Sequence, residues 1–235
     1  MPYRRLPNTD ISRIKALKGA IEKASKVSFK DVALSMSTLN EAKRVVEKFE
    51  RLNIRYQQTF DTQVKANIAF KNKSKTARLY ISHFIQVLNM SVIRSEIKQK
   101  HLSHYGLEKM NLLLPELNTN EQIFEWGQKI IDGEKKRIES GGTPLYNPGI
   151  AKVKVMYDIF KEGHQTQKLH QNATNRIQDE ISSFRNIVDQ IILKIWDEVE
   201  DFNSQYDSQK RIDKNKEYGI IYYYRKGEVI KEEDD

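Results

Sequence analysis

The sequence predicts an all-α protein: an elongated antiparallel helical bundle of the kind a duplicated long helical hairpin would build, with a small C-terminal β-hairpin. Three observations lead there. Neither Gly nor Pro occurs between Ala20 and Tyr105, a silence that permits very long helices. Ile177, Ile181, Phe184, Val188, Ile191, Ile195, Val199 and Phe202 recur mostly four and three apart, a coiled-coil-like seam that asks for long, nearly antiparallel neighbours. The 235 residues are 31% charged and 38% hydrophobic, long enough to bury a core without covalent staples.

The elements follow in order. Thr9 or Asp10 caps a first helix whose apolar edge is Ile11, Ile14, Leu17 and Ile21. Thr38-Leu-Asn-Glu41 has the spacing of a capping box and opens a run through Leu39, Ala42, Val46, Phe49, Tyr56, Phe60 and Val64. Helical to Phe70, that run is about 50 Å long at 1.5 Å per residue. The polar Lys71-Asn-Lys-Ser-Lys75 reads as a tight turn, with uninterrupted helix as the alternative because nothing in it strictly breaks one. The next helix buries Ala77, Tyr80, Ile81, Phe84, Leu88 and Val92 and ends near His101 to Gly106, where Gly106 supplies the left-handed cap.

After a linker at 107–118, Thr119-Asn-Glu-Gln122 has capping-box spacing and begins a helix with Ile123, Trp126, Ile130 and Ile131, stopping at Ser140-Gly-Gly142. Asn147-Pro148 suits the N-cap and first position of another, with Val153, Met156, Ile159 and Phe160 on its apolar face; Gly163 either ends it or lies inside a longer helix. Beyond Asp213, Tyr218-Gly-Ile-Ile-Tyr-Tyr-Tyr224 and Val229-Ile230 read as a hairpin turning near Gly227. The expected division is a helical bundle at 1–212 and a β-hairpin with acidic tail at 213–235. Ala77-Arg-Leu-Tyr-Ile-Ser-His-Phe-Ile85 aligns with Phe184-Arg-Asn-Ile-Val-Asp-Gln-Ile-Ile192, suggesting repeat halves at 9–106 and 119–206, although two amphipathic helices also share such a pattern by physics alone.

Composition excludes whole classes of chemistry. With no Cys there is no disulfide scaffold, Fe–S cluster or thiol catalysis. No Gly-rich phosphate loop, dinucleotide fingerprint or nucleophile elbow occurs, and the five His make no Glu-x-x-His tetrad of a di-iron bundle. His101, His104 and Glu108 share one face only if the helix continues past Gly106, so no metal or cofactor is expected. The start of the chain shows no export signal and no stretch is apolar enough to span a membrane, which points to the cytoplasm.

The net charge of +8 conceals an asymmetry: residues 1–105 hold 21 Lys/Arg against 8 Asp/Glu, and residues 106–235 hold 19 against 24. The basic half can neutralise phosphate, with Lys43, Arg44, Lys48, Arg51, Arg55, Lys71, Lys73, Lys75 and Arg78 as the contacts, or it can face the chain's own acidic half. Tyr222, Tyr223, Tyr224, Arg225 and Lys226 form the other interaction candidate, since aromatic faces stack while adjacent cations meet anions; docking of the tyrosines on the bundle is the competing reading.

Met1-Pro-Tyr-Arg-Arg-Leu-Pro-Asn-Thr-Asp10 and Tyr218-Gly-Ile-Ile-Tyr-Tyr-Tyr-Arg225 resemble the two ends of an uncharacterised family of all-helical proteins from Bacteroidetes-type bacteria. The resemblance implies a bacterial origin and a helical fold, and carries over no functional residue. The expectation is a non-enzymatic interaction, scaffold or assembly protein that binds a protein partner or itself, with nucleic-acid binding through the basic half as the alternative.

Overall fold

The computed structural model describes residues 3–28 and 31–224. Its elements are β1 (Tyr3–Arg4), α1 (Asp10–Lys26), α2 (Met36–Ile93), a 3-10 helix (Gln99–Tyr105), α3 (Asn120–Glu139), α4 (Ile150–Phe202), α5 (Ser208–Glu217) and β2 (Tyr222–Tyr223). No helix among these residues is long and apolar enough to cross a membrane. The chain divides into two compact units, one of Met1–Gln58 with Thr174–Asp235 and one of Thr59–Ala173. Each unit takes one part of α2 and one part of α4.

In the first unit α1 starts where its hydroxyl cap predicts, with Thr9 Oγ1 accepting from the Ser12 N–H at 3.2 Å. Helix α2 begins earlier than the Thr38 box suggests. Ser35 Oγ accepts from the Thr38 N–H, and Glu198 from α4 accepts from the Ser35 N–H at 2.8 Å, so a carboxylate meets the positive end of the helix. Thr38 is instead buried, donating its hydroxyl to Glu198 at 2.5 Å. Glu41 with Lys194, Phe49 with Phe184 and Arg55 with Glu180 pair rising numbers on α2 with falling ones on α4, so the two run antiparallel here. The α4 seam from Ile177 to Val199 packs with Leu39, Ala42, Val46, Phe49 and Leu52 of α2 and with Leu17, Ala20 and Ala24 of α1. Each such large side chain is worth about 1.5–3 kcal/mol when fully buried.

Composition shifts after Asp213, yet residues 213–217 belong to α5. The C-terminal strand pairs antiparallel with the N-terminal one, Tyr3 opposite Tyr223 and Arg4 opposite Tyr222. The expected turn near Gly227, with Val229-Ile230, lies outside the described residues. Two residues per strand cannot stand alone, and Tyr222 is tied to α4 and α5 by its hydroxyl.

In the second unit Ala77, Ile81, Phe84, Ile85 and Leu88 of α2 pack with Val153, Tyr157 and Phe160 of α4 and Ile123 and Ile130 of α3. The turn expected at 71–75 is absent: α2 stays helical through it, since Ser74 is buried on the inner face and Thr76 bonds back to the Asn72 carbonyl. Gly163 likewise lies inside α4, where a Cβ would stand 2.8 Å from Lys73 Cδ, so its missing side chain lets α2 approach. Asn147 and Pro148 precede rather than open α4; the Lys152 and Val153 N–H groups bond to the Gly149 carbonyl, which starts the helix two residues later. Helix α3 has the complete capping box at Thr119 and Gln122. Gly106, at φ 70°, closes the 3-10 helix as expected of a left-handed cap.

The two units are built alike in several particulars. Thr9 caps α1 and Thr119 caps α3. Tyr105-Gly106-Leu107 and Tyr218-Gly219-Ile220 each bury the aromatic and the aliphatic residue around a left-handed Gly, at φ 70° and 84°. In both, the last N–H reaches back five residues, from Leu107 to Leu102 and from Ile220 to Asn215.

The second unit also buries charge. Glu134 and Arg137 of α3 form an ion pair with side-chain exposures of 0% and 3%, and the Tyr105 hydroxyl donates to the same carboxylate. The Leu145 N–H adds a bond of 3.0 Å and Arg137 reaches the Thr143 carbonyl. Burial alone would raise the Glu134 pKa, but these donors outweigh it and hold the carboxyl below its ordinary value. The pair's stabilisation is therefore present above the unfolded carboxyl pKa and is lost as pH falls through the lowered folded one. Glu134→Gln should destabilise the protein by about 3–5 kcal/mol, since it leaves a buried guanidinium unpaired. Urea unfolding followed by far-UV circular dichroism measures this, with helix content before the transition unchanged.

Candidate functional site

A cavity of about 760 Å³ lies in the first unit between the strand pair, the end of α4 and α5. Part of its wall is a polar relay. Asn203, buried, donates to Asn215, whose amide donates to the Tyr222 hydroxyl at 2.8 Å; that hydroxyl donates to Glu200 at 2.6 Å. Arg4 closes the chain on Glu200 at 3.1 Å and Asp197 at 2.5 Å. Burial first, and the Glu200 bond second, push the Tyr222 phenol up to about 12. The relay is satisfied from end to end, so Tyr222 fastens the strand pair rather than offering a free hydroxyl.

The other members of the tyrosine cluster fare differently. Tyr223 is partly exposed and packs against Tyr3 at 6.1 Å between ring centroids, with Arg5 over its ring. Tyr224 is 37% exposed. Arg225 and Lys226 lie outside the described residues.

The basic candidates divide between the units. In the first, much of the N-terminal positive charge is answered by the acidic C-terminal segment: Arg4 by Asp197 and Glu200, Arg13 by Asp189, Lys23 by Glu217 and Arg55 by Glu180. Lys48 lies over the Phe184 ring at 4.6 Å, and Lys43 borders a shallow hollow with Glu47 and Glu50. Arg44 and Arg51 complete that unit's set on α2.

In the second unit Lys71, Lys75 and Arg78 line a cleft of about 580 Å³ with Phe70, Asn72, Ser74 and Asn120. Lys73 lies outside that lining, beside Gly163. No carboxylate of the described residues stands within ion-pairing distance of these four cations. Arg78 gives one nitrogen to the Asn118 carbonyl at 3.1 Å, while its Nε is buried without a partner. Spacings of four and three put Lys71, Lys75 and Arg78 on one face only because α2 is unbroken here, so a turn at 71–75 would have separated them.

Among the described residues no three His, Cys, Asp or Glu side chains gather as metal ligands. His101 and His104 rings pack 5.5 Å apart, while the left-handed Gly106 turns the chain before Glu108. His164 lies against Phe70 and Phe124, at 5.5 and 5.1 Å between rings. Comparison with family models, curated proteins and solved structures gives no match for this chain.

The raised Tyr222 pKa has a measurable consequence. A folded pKa above the free phenol's value of about 10 favours the neutral form, so its stabilisation is complete below about pH 10 and is lost as pH rises through about 12. The difference between spectrophotometric titrations of wild type and Tyr222→Phe should show one phenol with a midpoint near 12 instead of 10.

Proposed function

We propose that this chain is a non-enzymatic helical interaction protein, a scaffold or assembly component, whose two units descend from one duplicated helical hairpin. The observation that carries the reading is an apolar column on α2 within the second unit. Val64 and Ile68, four apart, are 40% and 60% exposed. Four-residue spacing stacks side chains on one helix face, and such a face fits a second amphipathic helix better than it fits water. A second copy of the chain supplies such helices. The partly exposed rings of Tyr223 and Tyr224 offer a further contact on the first unit. The duplication is supported by the paired caps at Thr9 and Thr119 and by the paired Tyr-Gly-aliphatic turns.

An anionic partner, nucleic acid included, is the second reading, favoured by the cations around Lys75 that no carboxylate of the described residues answers. Binding of mixed oligonucleotides should weaken steeply between about 50 and 200 mM salt, and binding insensitive to salt rejects phosphate contact.

For the first reading, sedimentation velocity of the full chain should show species heavier than the monomer at tens of micromolar. Val64→Glu with Ile68→Glu should return it to the monomer with unchanged circular dichroism. A wild-type monomer at every concentration overturns self-assembly through this column.

A further inference from the structure

The sequence match between the two units keeps one arginine and changes what faces it. Advanced by the same 107 residues that align Ala77 with Phe184, Arg78 falls on Arg185. Both arginines reach toward the start of a Thr-capped helix. In the first unit Asp10, the first residue of α1, answers with a two-pronged ion pair, Arg185 Nε to Oδ1 at 2.7 Å and the terminal nitrogen to Oδ2 at 2.8 Å. That carboxylate raises the Arg185 pKa further. In the second unit the first residue of α3 is Asn120, a neutral amide whose oxygen accepts weakly from Ser74 at 3.5 Å.

Arg78 lacks, among the described residues, the carboxylate partner that Arg185 has. Its Nε is the nitrogen that in Arg185 meets a carboxylate, and here it is buried with no hydrogen-bond partner among the described residues. A buried guanidinium N–H left unpaired is costly, so an anionic acceptor that reaches this guanidinium through the cleft is favoured. The surroundings have changed in the same sense. Lys71 and Lys75 fall on Gln178 and Ser182 of the first unit, so the second unit has two cations where the first has neutral side chains, and Asn120 where the first has Asp10. The cleft they share with Arg78, about 580 Å³, opens beside Asn72, Ser74 and Asn120, which add neutral polar groups.

We propose that this cleft binds a phosphate-bearing ligand, with Arg78 donating to phosphate oxygens as Arg185 donates to the Asp10 carboxylate and with Lys71 and Lys75 neutralising the remaining charge. One carboxylate would satisfy the guanidinium fork alone; three unanswered cations match the higher charge of a phosphate group. The site is independent of self-association. It deepens the anionic-partner reading, and the two ligand arms below separate a compact phosphate compound from a nucleic-acid backbone.

The test is isothermal titration of the full chain with inorganic pyrophosphate at about 0.1 M salt, alongside fluorescence anisotropy with a short single-stranded oligonucleotide. Pyrophosphate should bind at one site. Arg78→Gln should weaken it at least tenfold. Asn120→Asp, which installs the first unit's carboxylate, should weaken it as much while leaving the melting temperature equal or higher, an outcome that a merely damaged fold cannot produce. Lys135→Gln, an exposed α3 lysine beside Glu139 and outside the cleft, should stay within twofold of wild type. Pyrophosphate without oligonucleotide binding supports the site and assigns it to compact phosphates; binding of both, each lost in Asn120→Asp, supports it for nucleic acid. No pyrophosphate binding, full binding in Asn120→Asp, or an equal loss in Lys135→Gln overturns it. Should Arg78→Gln not fold, Asn120→Asp alone decides.

Discussion

The antiparallel contact of α2 with α4 is the interaction on which the other features of each unit rest. In the first unit the aliphatic seam of α4, Ile177 through Val199, meets Leu39 to Leu52 of α2; in the second, Ala77 to Leu88 of α2 meets Val153 to Phe160 of α4. Helices this long are not held by propensity, which sums to little in water; burial of a continuous stripe holds them. Once the stripes are matched, the shorter helices α1 and α3 have a groove to fill. Residues that permit close approach then matter: Gly163 against Lys73, and on α3 Gly127 and Gly133, where a Cβ would overlap the Tyr157 and Tyr105 rings.

Charge is used differently in the two units. The first turns its basic N-terminal residues inward upon an acidic C-terminal segment, so much of the asymmetry along the sequence is cancelled in space. The second keeps a buried, fully answered pair in Glu134 and Arg137 and, elsewhere, a cleft whose cations meet no carboxylate among the described residues. Net charge therefore says little about partners here. What distinguishes a site from a solvated face is whether a nearby carboxylate already occupies it, and Asp10 beside Asn120 shows how one residue type decides this.

Several elements were legible in the residues because their signals are local. Thr9 and Thr119 cap their helices because a short hydroxyl side chain reaches an amide two or three residues on, whatever the rest of the chain does. Gly106 takes the left-handed conformation for an equally local reason. Residues 71–75 misled because polarity marks solvent as readily as it marks a turn: Lys71 and Lys75 are exposed on an unbroken helix, and only packing of Ser74 on the inner face shows that the chain continues. The Thr38 box misled because Ser35 caps first, supported by Glu198 from 163 residues away.

The sequence by itself determined that the chain is helical, where several helices start and stop, and the buried stripes from Leu39 to Phe49 on α2 and from Ile177 to Val199 on α4, since periodicity and capping act within a few residues; Phe60, Val64 and Phe202, on the same periodicity, stay exposed. Tertiary structure alone decided that the C-terminal tyrosine strand pairs with Tyr3–Arg4, that Tyr222 is a fastener, and which cations are left unanswered. Those outcomes depend on groups brought together from distant parts of the chain. A spacing rule can place Arg78 and Arg185 on equivalent faces, but only the folded geometry shows that one has its carboxylate and the other does not.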